Sequence, residues 1–104
     1  MSKNKGGARF NEGKLQYSLL TPEMLEGIGK VMMMGAEKYG RDNWLKGLPW
    51  MSCYDSMMRH VEAWRKGEDA DKESGLPHIA HALTNLAFLL TYIQRGLGED
   101  NREK

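Results

Sequence analysis

Apolar residues recur at spacings of three and four in three separate runs of this sequence, and no run alternates convincingly at every second position. That pattern belongs to helices buried on one face, and it constrains the chain to an all-α fold with three main helices packed as a bundle. The first is expected to begin at Thr21, a good N-cap, with Pro22 as its first helical residue and Glu23 and Glu26 near the positive end of the dipole. Leu25, Ile28, Met32 and Ala36 share one face, Met33 and Met34 widen it, and Gly40 is the expected stop. Gly27, Gly29 and Gly35 each cost about 1 kcal/mol of helix propensity relative to Ala, which fits close packing against another helix. The second helix is predicted from Ser52 to Lys66: Ser52 and Asp55 have capping-box spacing, and Tyr54, Met57, Met58, Val61 and Trp64 form the apolar stripe. The third is predicted from Pro77 to Arg95, with Gly96 ending it. A loop carrying Trp44 and Trp50 joins the first two helices, and an acidic loop over 68–77 joins the last two.

A chain of 104 residues has room for one domain, here expected over 9–95, with a disordered arm over 1–8 and a frayed tail over 96–104. The 15 Lys and Arg against 14 Asp and Glu exclude the strongly basic profile of a dedicated nucleic-acid binder. No apolar run approaches the ~20 residues of a membrane span, so no membrane partner is expected. The polar N-terminus lacks the apolar core of a signal peptide, and the lone Cys53 fits a reducing cytoplasm. Only 40% of residues are hydrophobic, eight of them Met, which is a thin core for a lone small domain. Met32, Met33, Met34, Met57 and Met58 therefore read as a subunit interface, and the bundle as one completed by homo-oligomerisation, a dimer or a tetramer.

The third helix carries three faces. Ile79, Ala82, Leu83, Leu86, Leu89, Leu90 and Ile93 make a broad aliphatic face, expected to face the core. Thr84, Ala87, Thr91 and Gln94 make a plain face, expected to point outward. His78, His81, Asn85, Phe88 and Tyr92 make a third stripe, about 130° from the aliphatic centre. Two imidazoles and an amide at spacings of three and four can converge on one ligand, and imidazole can bind a metal, move a proton or donate to a phosphate. His60 lies near the end of the second helix, where it can join them. Ser74-Gly75, just before the third helix, could turn backbone N–H groups toward an anion.

These residues occur in an ordered set of motifs. They are Glu12-Gly13-Lys14; Gly35-Ala36-Glu37-Lys38-Tyr39-Gly40; Asn43-Trp44 with Lys46-Gly47; Arg59-His60 with Ala63; Gly67-Glu68 with Asp71 and Glu73-Ser74-Gly75; and His78, His81 and Asn85. The set, from about Arg9 to Tyr92, resembles the bacterial and phage family formed by the N-terminal domain of dATP/dGTP diphosphohydrolases. The resemblance implies an all-α fold related to the MazG-like nucleoside triphosphate pyrophosphohydrolases. It implies hydrolysis of a purine deoxynucleoside triphosphate to monophosphate and pyrophosphate with Mg²⁺ or Mn²⁺, in dimers or tetramers.

In an enzyme reading, Glu37, with Glu73 as second candidate, binds the metal, and His60, His78 or His81 serves as general base or phosphate donor. Lys14 and Lys38 neutralise phosphate charge, Tyr39 or Trp44 stacks on the base, and Asn43, Arg59, Ser74 and Asn85 complete the substrate contacts. One departure stands out. MazG-like enzymes carry E-x-x-E and E-x-x-D, whereas here Glu37 is followed by Gly40 and the last helix offers His78-x-x-His81. Imidazoles are poor ligands for Mg²⁺ and better ones for Mn²⁺ or Zn²⁺. The alternative reading is a protein that sequesters a nucleotide, such as a cyclic or signalling nucleotide, without turnover. A purely structural helical module is the third.

Overall fold

The computed structural model describes residues 6–104, so Met1 to Lys5 of the expected N-terminal arm lie outside the described residues. Three α-helices follow in order, α1 (Pro22–Tyr39), α2 (Trp50–Arg65) and α3 (His78–Arg95), with single 3-10 turns at Tyr17–Leu19 and Asn43–Lys46. Among the described residues there is no strand, only two isolated bridges, Pro49 to Glu99 and Ala70 to Pro77. No helix among them is long and apolar enough to cross a membrane.

The helix ends show how local and distant residues divide the work. At α1 the expected local cap forms: Thr21 Oγ1 accepts from the Met24 N–H at 3.2 Å, and Gly40 ends the helix with φ +97°. Gly96 likewise ends α3 in the left-handed region. The start of α2 differs from the expectation. The helix begins at Trp50, and Ser52 lies inside its first turn, with its hydroxyl donating to the Pro49 carbonyl at 2.7 Å. The first free donors are instead satisfied by the tail: Trp50 N–H donates to Glu99 O at 2.9 Å, and Met51 N–H to Asn101 Oδ1 at 2.9 Å.

Residues 97–102, expected to fray, are thus tied to α2, and the Trp50 indole N–H also donates to Leu97 O at 3.0 Å. Two glycines permit that approach. A Cβ on Gly47 would sit 2.5 Å from the Gly98 nitrogen, and both residues hold positive φ. At α3, the His78 N–H donates to Asp69 O at 2.9 Å, so the acidic loop caps that helix through its backbone.

α3 is the central element, touching α1 on one side and α2 on the other. His60 meets His78 and His81, while Ser56 meets Asn85, so α2 and α3 run antiparallel. Gly27 of α1 faces Ala80, where an added Cβ would lie 3.6 Å from the Ala80 Cβ. Gly29 and Gly35 have no such neighbour. The burial of α3 departs from its aliphatic pattern. Its buried residues are His78, Ala80, His81, Ala82, Thr84 and Tyr92. Thr84 turns toward α1 rather than outward, with its hydroxyl donating to the Ala80 carbonyl at 2.8 Å. The aliphatic residues Ile79, Leu83, Leu86, Leu90 and Ile93 stay exposed, at 37–57%. Helix amphipathicity names two faces but not which one a particular neighbour will cover. Here small and hydrogen-bonding residues let α1 and α2 approach α3 closely, and the aliphatic stripe is left over.

Candidate active site

Three imidazoles meet at the α2–α3 contact. The His60 and His81 rings stack with centroids 4.4 Å apart and planes 6° from parallel. His60 Nδ1 lies 2.8 Å from His78 Nδ1. His78 Nε2 bonds Glu68 Oε1 at 2.7 Å, and His81 Nε2 lies 2.7 Å from Ser74 Oγ. Antiparallel packing produces this, because it puts the C-terminal turn of α2 beside the N-terminal turn of α3, and the intervening loop returns past both.

That loop supplies carboxylates that the sequence presents only as a charge run. Asp71 Oδ2 accepts the Ser74 N–H at 2.8 Å and stands 3.8 Å from His81 Nε2. Burial pushes the Asp71 carboxyl up, but the bonds from Ser74 and the facing His81 and His60 outweigh it and hold it below its ordinary value. The His78 ring beside Glu68 holds that carboxyl low as well, against burial. His60 is lowered, first by burial and then by the neighbouring His81 and His78, and His81 is lowered mainly by burial, with Asp71 opposing. Both rings are therefore neutral at pH 7 and free to accept a proton.

The cluster forms one wall of a cavity of about 410 Å³ between the three helices, within the ordinary range of ligand pockets, ~300–1,000 Å³. His60, Ser56, His81 and Asn85 make the polar side. Val31, Met32, Met34, Gly35 and Tyr39 of α1 and Trp44 of the following turn add an apolar lining, continued on α3 by Phe88. Trp44 stacks on Phe88 with centroids 4.9 Å apart, and its carbonyl accepts from the buried Tyr92 hydroxyl at 2.7 Å, so the 3-10 turn that presents Trp44 is anchored. Asn85 Nδ2 donates to both Ser56 Oγ and the His81 carbonyl, which fixes its amide.

Of the residues expected from sequence, the structure brings His60, His81, Tyr39, Asn43, Trp44 and Asn85 to this cavity, with His78 directly behind His60. Others lie apart. Glu37 is exposed at the end of α1, and Glu73 is 82% exposed, its carboxylate bound to Lys38 Nζ at 3.2 Å. Neither expected metal carboxylate lines the cavity, and Lys38 is held by Glu73 outside it, its ammonium form favoured by that bond. Lys14 sits in the exposed segment before α1, and Arg59 is exposed on α2. Ser74 is not a cavity residue: its N–H is engaged by Asp71, and the Gly75 N–H by the Asp71 carbonyl, so neither is turned toward an anion. The loop closes on its own carboxylate instead.

Sequence reasoning missed Asp71, Glu68, Ser56 and Arg41, the last the one Lys or Arg among the described residues lining the cavity. Asp71 carried a signal in its position three residues before Ser74, the spacing of a side chain that accepts a backbone N–H. Glu68 carried none, because its partner is ten residues away. Among the described residues, His60, Asp71 and His78 form the group able to close on one metal ion, each offering a ligand atom within 4.8 Å of the others.

The family described as dATP/dGTP diphosphohydrolase, N-terminal, matches residues 4–102. The chain belongs to this family. A relative from Salmonella phage PMBT28, a dATP/dGTP diphosphohydrolase, is 38% identical over 96 residues, which are 92% of this chain and 33% of the relative. The chain thus spans about a third of that relative's length. No solved structure matches the chain.

Proposed function

We propose that the cavity binds a purine deoxynucleoside triphosphate and that the chain hydrolyses it to the monophosphate and pyrophosphate. The observation that carries this reading is the set of neutral, carboxylate-braced imidazoles sharing one cavity with an apolar, aromatic lining. The family and the phage relative's name support it. A base would lie against Tyr39 and Trp44, and the phosphates toward His60, His81 and the exposed Arg41 at the rim.

Hydrolysis joins a water oxygen to the α-phosphorus and breaks the bond from that phosphorus to the bridging oxygen, releasing pyrophosphate. His81 is the residue placed to take the water's proton: it lines the cavity, it is neutral, and Asp71 and Ser74 hold its far side. Asp71 also stabilises the imidazolium that results, as a carboxylate behind a catalytic histidine does. Asn85, whose two amide N–H bonds go to Ser56 Oγ and the His81 carbonyl, offers its side-chain carbonyl oxygen to the substrate. A divalent ion of the Mg²⁺ or Mn²⁺ kind, arriving on the triphosphate, would supply charge neutralisation and polarise the attacking water. The group able to close on one ion is two imidazoles and one carboxylate, not the all-oxygen sphere that Mg²⁺ demands, and neither Glu37 nor Glu73 lines the cavity.

The test is product analysis. Purified protein with dATP or dGTP and Mg²⁺ or Mn²⁺ is expected to release monophosphate and pyrophosphate, and His81→Gln to lose about 10²–10⁴-fold in rate while keeping its helical circular dichroism. Nucleotide bound but recovered intact with every metal would leave sequestration as the function.

We also propose that two copies pair along α3. Ile79, Leu83, Leu86, Leu90 and Ile93 recur at spacings of four, three, four and three, the seam of a helix that packs against another helix, and they are the exposed aliphatic face of the central element. Of the methionines read from the sequence as an interface, Met32 and Met34 line the cavity, Met33 is 73% exposed and Met58 36%.

A further inference from the structure

We infer that His60, His78 and Asp71 form a site for one late first-row divalent ion of the Zn²⁺ or Co²⁺ kind, bound by the protein itself in the absence of nucleotide. The three come from α2, α3 and the loop between them, with one ligand atom of each within 4.8 Å of the others. The decisive contact is His60 Nδ1 to His78 Nδ1 at 2.8 Å. Two imidazole nitrogens stand this close when one carries a proton for the other, which aims both at one point between α2 and α3.

Glu68 determines which nitrogen of His78 is bare. An ionised carboxylate only accepts, so Glu68 Oε1, 2.7 Å from His78 Nε2, requires the proton on Nε2 and leaves Nδ1 as a lone pair aimed at His60. A carboxylate behind a histidine with its second nitrogen free is the arrangement that orients metal-binding imidazoles and raises their basicity. The bond to His78, with Lys72 3.5 Å from the other Glu68 oxygen adding to it, favours the ionised carboxylate. Without an ion, His60 Nδ1–H donates to His78. With one, the His60 proton shifts to Nε2 and both Nδ1 atoms become ligands.

Bonds of about 2.0–2.1 Å to a tetrahedral ion separate two nitrogens by about 3.3 Å, so the pair opens by about half an ångström, a small side-chain adjustment. Asp71 supplies the anionic ligand. Its bond from the Ser74 N–H fixes the carboxylate and occupies one of roughly four lone-pair sites. Two imidazoles and one carboxylate suit Zn²⁺, Co²⁺ or Ni²⁺ and disfavour Mg²⁺, which holds to oxygen and water. Three protein ligands leave a tetrahedral ion one position for water or a phosphate oxygen.

The experiment uses chelator-treated full chain titrated with Co²⁺, then Zn²⁺, in excess Mg²⁺ and without nucleotide. The expected result is one Co²⁺ per chain with the visible bands of a nitrogen-ligated ion, bleached by Zn²⁺ and untouched by Mg²⁺. His60→Ala and His78→Ala should abolish the bands. Asp71→Asn, whose amide oxygen can still accept from Ser74, should weaken binding, and Glu68→Gln should weaken it about 10–100-fold. No bands in the wild type, or bands unchanged in both a folded His78→Ala and Asp71→Asn, overturn the assignment. Hydrolysis lost with Co²⁺ binding intact counts against the proposed reaction and not against this site; the reverse result counts against the site alone.

Discussion

Leu86 sits in the middle of the aliphatic stripe of α3 and is 47% exposed, so replacing it with Glu tests the pairing of two chains without opening the protomer's own core. Five large aliphatic side chains, each left roughly half exposed, hold about 4–7 kcal/mol of unrealised burial per copy, taking ~1.5–3 kcal/mol for a fully buried Leu or Ile. Two copies together would gain about 8–14 kcal/mol, against an association cost of ~4–15 kcal/mol, so the proposed dimer is close to balance and a single change in mid-seam is expected to abolish it. Leu86→Glu removes about 1 kcal/mol of burial from each copy and adds two carboxylates that must be desolvated face to face, each costing several kcal/mol. A combined loss of at least about 4 kcal/mol weakens the dimer about a thousandfold. Multi-angle light scattering should show the wild type at twice the chain mass of 11.9 kDa and Leu86→Glu at that mass, with unchanged circular dichroism. A wild type that is monomeric at high micromolar concentration, or a Leu86→Glu protein that remains dimeric, refutes the reasoning.

Two further outcomes concern the scaffold. Burial, with Cys53 adding to it, pushes the Tyr92 phenol up to about 12 from an ordinary value near 10. The folded state therefore holds the proton after the unfolded state has lost it, and stability, full below pH 10, falls between about pH 10 and 12, by about 2–3 kcal/mol. Urea midpoints across that range should show this loss beyond the background set by the lysines, and Tyr92→Phe should remove the extra slope; an identical slope in both proteins contradicts the assignment. Asn101→Ala deletes the tail's side-chain cap on the Met51 N–H and should cost about 1 kcal/mol in thermal or urea unfolding. A change under a few tenths of a kcal/mol would mean that the tail does not secure α2.

How much of this was legible in the chain can be judged from particular residues. Thr21, Gly40 and Gly96 were readable because a cap or a left-handed stop depends on the residue itself and its near neighbours. The start of α2 was not, because its caps are Glu99 and Asn101, some 50 residues away, and nothing near Ser52 encodes them. The histidine stripe was readable as a face, since spacings of three and four fix directions on a helix. Its carboxylate partners were not. Asp71 and Glu68 stand beside Asp69 and Glu73 in one acidic run, and only the path of the loop turns the first two inward while Lys38 draws Glu73 outward.

The sequence by itself determined three helices, their approximate ends, and a stripe of histidine, amide and aromatic side chains on the last of them, because periodicity and capping are local physics. The tertiary structure decided which face of α3 is covered, which carboxylates meet the imidazoles, and that Arg41 rather than Lys38 lines the cavity. Those choices depend on the packing of small residues such as Gly27 against Ala80, and on hydrogen bonds between residues far apart in the chain, while at Gly47 against Gly98 the backbones approach so closely that no side chain would fit. An amphipathic pattern states how much apolar surface must be covered. It leaves open whether a neighbouring helix, a ligand or a second copy covers it.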